Sequence, residues 1–119
     1  MAKYNERIED LLDHHLIANE ELTKRKENGG VGYLINGNMC LGVYGDMMVA
    51  RVGNSLASTL VAKQGIHHYL PDKGLYDDLV MVEEQLCSHS ELMQKFISKS
   101  IAYTRQLPPK QHKPDQLDS

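Results

Sequence analysis

The chain has 119 residues, a formal charge of −3, and 41% apolar and 24% charged residues. That length holds one domain with its own hydrophobic core. The mild acidity argues against a general phosphate-binding surface, which needs clustered Lys and Arg, and the absence of Trp with a single Phe leaves little for base stacking.

No apolar run approaches the ~18 residues of a membrane span, and the segment Met1 to Arg7 lacks the apolar centre of an export signal. Cys40 and Cys87 are far apart and match no Cys-x-x-Cys spacing. The expectation is therefore a cytoplasmic protein with reduced thiols and no membrane contact.

Tyr4 to Ala18 is predicted helical, with Ile8, Leu11, Leu12, His15 and Leu16 on one stripe. Asn19 to Lys26 is polar and basic and reads as a loop or a short first strand. From Gly29 onward two hairpins follow, turning at Asn36-Gly37 and Gly45-Asp46, dipeptides that supply the positive φ of two-residue turns. A helix from about Ser55 to Lys63 carries Leu56, Leu60 and Val61 and stops at Gly65. Ile66 to Leu70 is a short strand, Pro71 to Gly74 a turn, and Leu75 to Glu83 another strand. Ser88-His89-Ser90-Glu91 has the form of a capping box, opening a helix to about Gln106 that Pro108-Pro109 ends. Its stripe is Leu92, Met93, Phe96, Ile97 and Ile101, with Thr104 at its end. The tail 111–119 is expected to be disordered, leaving 1–110 as the domain. Hairpins rather than crossovers join the central strands, which predicts an α+β fold: two layers, an antiparallel sheet of about five strands with helices on one face.

Tight turns also predict the register. Around Asn36-Gly37, Leu34 faces Met39 and Tyr33 faces Cys40; around Gly45-Asp46, Tyr44 faces Met47 and Leu41 faces Ala50. Alternation then gives one apolar face of Gly32, Leu34, Met39, Leu41, Val43, Met48, Ala50 and Val52, suited to helices. The other face carries Tyr33, Ile35, Cys40, Tyr44, Met47, Val49 and Arg51, with Asn38. It is too apolar to be simply solvated, and its Tyr, Met and Arg are interface types. It is the candidate interaction surface, for a protein partner or a second copy in a homodimer with Tyr44 as its anchor.

The chemistry candidates read mostly as structure. His14-His15 and His67-His68 are adjacent pairs whose side chains diverge, so neither chelates alone; a metal site would need both pairs brought together with a Cys or carboxylate. Cys40 is a small apolar filler unless Arg51, its expected cross-strand neighbour, activates it. Gly29-Gly30-Val31-Gly32 lacks the Lys-Ser/Thr and helix of a phosphate loop, and its glycines suit a bulge or close packing. Lys24-Arg25-Lys26 reads as a solvated, protective sheet edge. Asp77-Asp78 and Glu83-Glu84 read as solvated strand ends. No catalytic set, cofactor or metal is assigned.

Taken together, Gly29-Gly30-Val31-Gly32-Tyr33, Asn36-Gly37-Asn38, Gly42-Val43-Tyr44-Gly45-Asp46, Arg51-Val52-Gly53, Ala102-Tyr103 and Leu107-Pro108-Pro109-Lys110 resemble, in order and separation, the N-terminal domain of the TfoX (Sxy) family. The resemblance runs from about Lys24 to Lys110. It implies a two-layer fold of secretion-chaperone-like type and a non-enzymatic link to competence regulation in bacteria through contacts with the transcription machinery. Strong intrinsic DNA binding is not expected. Two segments depart from the family pattern: Glu27-Asn28 stands where Met-Phe is usual, and Lys73 to Asp78 replaces a Gly-x-Pro-Met-x-Gly stretch. The alternatives are a stand-alone interaction or chaperone-like module unrelated to competence, or a small metal protein or enzyme using the histidines.

Overall fold

The computed structural model describes residues 3–27, 29–69 and 77–110. The elements run α1 (Glu6–Leu16), β1 (Thr23–Glu27), β2 (Gly30–Ile35), β3 (Asn38–Tyr44), β4 (Met47–Arg51), α2 (Asn54–Leu60), β5 (Ile66–His68), β6 (Leu79–Val82), α3 (Glu84–Cys87) and α4 (Ser90–Arg105). The strands form one antiparallel sheet ordered β1-β2-β3-β4-β6-β5. The fold is α+β, with six strands and four helices among the described residues. The expected turn at Pro71 to Gly74 and the tail 111–119 lie outside the described residues.

Helix α1 starts where Asn5 caps it, its side-chain oxygen accepting from the Arg7 and Ile8 amides. Ile8, Leu12 and Leu16 are buried on its inner stripe, and the helix ends two residues short of the expected Ala18. The same Asn5 donates through Nδ2 to Glu84 Oε1 at 2.9 Å, and its amide donates to the Gly45 carbonyl at 2.8 Å. One residue thus joins the start of α1, the β3–β4 turn and α3.

The capping box is not formed. Ser88 ends the one-turn helix α3, and its hydroxyl donates back to the Gln85 carbonyl at 2.9 Å. Helix α4 begins two residues later, after His89. Strand β6 ends at Val82, one residue short of the expected Glu83, whose amide still donates to the Gly65 carbonyl at 2.9 Å before α3 begins at Glu84.

Both hairpin turns form as expected. Asn36 and Gly37 have φ of 51° and 82°, the pair of left-handed residues a two-residue turn needs. Register holds at Ile35–Asn38 and Leu34–Met39, then slips: Tyr33 pairs with Leu41, not Cys40, and Gly32 with Gly42. Cys40 is an extra residue on β3, a β-bulge. The β3–β4 register, from Leu41–Ala50 to Tyr44–Met47, is as expected.

The bulge moves β2 to the opposite face from the one its alternation suggested. Tyr33, Ile35 and Cys40 lie under the helices, 3%, 1% and 0% exposed, in one core with Ile8, Leu41, Val43, Met48, Phe96 and Ile97. Gly32, Leu34 and Met39 turn to the other side. Gly42 sits where the strands approach so closely that a Cβ would meet the Val31 carbonyl, which only glycine permits.

Candidate interaction surface

The face of the sheet away from the helices is built by alternation from Arg25 and Glu27 of β1, Gly30, Gly32 and Leu34 of β2, Met39, Gly42 and Tyr44 of β3, Met47, Val49 and Arg51 of β4, and Leu79 of β6. Leu34, Val49 and Leu79 are buried yet belong to no part of the helix-side core. Tyr69, just beyond β5, lies over this face, its ring 6.1 Å from that of Tyr44 in an edge-on arrangement. Glycines at positions 30 and 42 leave bare backbone between them, and a hollow of about 80 Å³ forms there, lined also by Met39, Tyr44, Val49 and Tyr69. A larger hollow of about 230 Å³ continues toward Arg25, Asn38, Arg51 and Lys110.

Of the seven residues expected on the interaction surface, Tyr44, Met47, Val49 and Arg51 share this face, whereas Tyr33, Ile35 and Cys40 belong to the core. Val49 is nearly fully enclosed, so Tyr44, 43% exposed, is the main outward apolar group. Leu34, Met39, Leu79 and Tyr69 were missed. Their place depends on the bulge and on a long-range return of the chain, and neither leaves a local signal.

Arg51 is engaged structurally and does not serve Cys40. Its Nε donates to the Met39 carbonyl at 2.7 Å, beyond the last β3–β4 ladder pair, and Nη1 meets Asp78 Oδ2 at 2.7 Å. Tyr103 of α4 donates to the same carboxylate oxygen at 3.1 Å. Asp78 is therefore no solvated strand end but is buried, with its backbone carbonyl accepting from Val52 and Gly53. Glu84 is likewise committed, to Arg7 Nε at 2.7 Å and to Asn5; these bonds hold its carboxyl down at about 2.

Strand β1 is the exposed sheet edge expected of Lys24-Arg25-Lys26, with Lys24 held on it. Lys24 Nζ lies 2.8 Å from both Glu9 and Asp13, and the Tyr33 hydroxyl donates to Asp13 at 2.6 Å. Burial first, then the Asp13 bond, keeps the Tyr33 phenol protonated. Burial would raise the Asp13 carboxyl, but the bonds from Lys24 and Tyr33 outweigh it and the net direction is down. Burial pushes the Cys40 thiol up to about 11 and the Cys87 thiol to about 12. Neither is a nucleophile at neutral pH.

His67 pairs with Glu83 at 2.6 Å on the outer strand, and among the described residues no three His, Cys, Asp or Glu side chains form a group that could hold a metal. No described helix is long and apolar enough to cross a membrane.

The residues that carry the family resemblance meet in space as joints. Asn38 Nδ2 donates to the Pro108 carbonyl at 2.9 Å and the Lys110 amide to the Asn36 carbonyl at 2.8 Å, so the Asn-Gly-Asn turn clamps the Leu-Pro-Pro-Lys segment. The Gly45 amide donates to the Gly29 carbonyl, and Arg51 and Tyr103 converge on Asp78. No protein-family model, no curated protein and no solved structure matches the chain.

Proposed function

We propose that this chain is a non-enzymatic regulatory domain of TfoX N-terminal kind that acts by protein contact in bacterial transcription or competence control. The observation that carries the reading is the meeting of the six quoted motifs as joints of one scaffold. Two pairs of motifs bond directly, and Arg51 and Tyr103 of the third pair meet through Asp78, which lies in the segment that departs from the pattern. Contact is supported by Tyr44, whose side chain stands 43% exposed on the sheet face. The contact surface is the non-helical sheet face around Tyr44, and the chain works in the cytoplasm.

Affinity capture with the tagged chain, quantified against a Tyr44→Asp control, tests this. Enrichment of RNA polymerase subunits or a transcription factor, lost in the control, is the expected result. Capture of unrelated proteins with the same Tyr44 dependence supports the stand-alone interaction module instead. Capture indifferent to Tyr44 sinks both. Sedimentation at micromolar concentration tests whether a second copy uses this face, the expected two-fold arrangement.

A further inference from the structure

On the other layer, α2 and α4 form a groove. Leu56 and Leu60 form one wall, Leu92 and Phe96 the other, and Val52 the floor; the hollow is about 170 Å³ and its lining is apolar apart from the two lysines on its rim. The helical stripes explain it. Met93 and Ile97 point fully into the core, while Leu92 sits one step around α4 and stays partly open to solvent. Lys95 and Lys99, one helical turn apart and both exposed, rim the α4 side. Among the described residues neither has a carboxylate within ion-pair distance, although seven ion pairs form elsewhere. At the α4 start the groove continues past Leu92 to His89, Ser90 and Glu91, so one carboxylate stands at that end.

We propose that this groove docks an acidic amphipathic helix of a partner protein. Its volume is below the ~300 Å³ from which small-molecule sites usually begin, and suits inserted aliphatic side chains. Both walls are helices whose backbone groups bond internally, so the groove offers nothing to pair with an extended strand. An occupant must satisfy its own backbone, as a helix does, and lay an apolar stripe into the groove. The two unpaired lysines select carboxylates on its flank, with the acidic side toward Lys99 and away from Glu91. This inference is independent of the regulatory setting and of the Tyr44 surface.

The test is a nuclear magnetic resonance titration of the full ¹⁵N-labelled chain, which detects binding into the millimolar range. The probe is a synthetic helix of about 20 residues, long enough to be helical in water, with leucines at i, i+3, i+4 and i+7 and glutamates on both flanks. A second probe carries lysine in place of every glutamate. The expected result is shifts at Leu56, Leu60, Leu92 and Phe96, with the glutamate probe about five-fold tighter, the size of two exposed ion pairs. The double variant Lys95→Glu/Lys99→Glu changes only exposed positions and should reverse the preference. Shifts outside the groove, equal binding of both probes, or a preference unmoved by the charge reversal overturn the proposal. So does groove closure by a second copy, seen as concentration-dependent shifts without probe.

Discussion

Arg51 and Asp78 form a part-buried ion pair, 2.7 Å apart, that ties the end of β4 to the entry of β6. Side-chain exposures of 15% and 12% leave little water to replace a lost partner. Asp78→Ala should therefore cost about 2–3 kcal/mol, below the full penalty of a wholly buried pair because both groups keep some solvent. Tyr103→Phe, which removes one neutral donor from the same oxygen, should cost about 1 kcal/mol. Because the two share that oxygen, the double variant should lose less than the sum. Urea denaturation of the four proteins measures all of this.

The Asn36-Gly37 turn is predicted to be the least tolerant of the turns. Gly37→Ala places a Cβ at positive φ and against the Lys110 carbonyl, so a loss of about 1–2 kcal/mol is expected. Asn38→Ala removes the bond to the Pro108 carbonyl from an exposed position and should cost under about 1 kcal/mol. Equal effects of the two variants on the thermal midpoint would contradict the clamp.

Acid should weaken the Asn5 hub through Glu84. Its carboxyl titrates at about 2 in the fold against 4.5 free. A depressed carboxylate contributes stability that is present above its unfolded value and is lost as pH falls through its folded value. The loss is thus expected between about pH 4.5 and 2, and Glu84→Gln should flatten that stretch of the stability–pH curve. Asn5→Ala should cost about 1 kcal/mol at neutral pH as well, since it also removes the α1 cap.

The thiols give the opposite sign. Cys40 and Cys87 are raised from 9 to about 11 and about 12. A raised group contributes stability below its unfolded value that is lost as pH climbs toward the folded one. Stability should fall above about pH 9, and less steeply in Cys40→Ala/Cys87→Ala. At pH 8 a disulfide reagent should label both thiols only as fast as the chain opens; rapid labelling of native protein would show an accessible thiolate.

Local chemistry determined much of this protein without help from the fold. Asn36-Gly37 and Gly45-Asp46 can do little but turn, because positive φ is cheap there and costly elsewhere, and the helical stripes of α1 and α4 follow from residue spacing alone. The β3–β4 register was legible for the same reason, since a two-residue turn fixes which residues face each other. The face carried by β2 was not. One extra residue at Cys40 inverts it, and the side-chain period of two turns that slip into an exchange of core and surface. Nothing in Tyr33 or Ile35 themselves distinguishes the two. The burial of Asp78, the hold of Glu84 on Asn5 and Arg7, and the α2–α4 groove with its unpaired lysines were likewise decided only in three dimensions. Each joins groups far apart in the chain, and such pairings exist only once packing has brought their elements together.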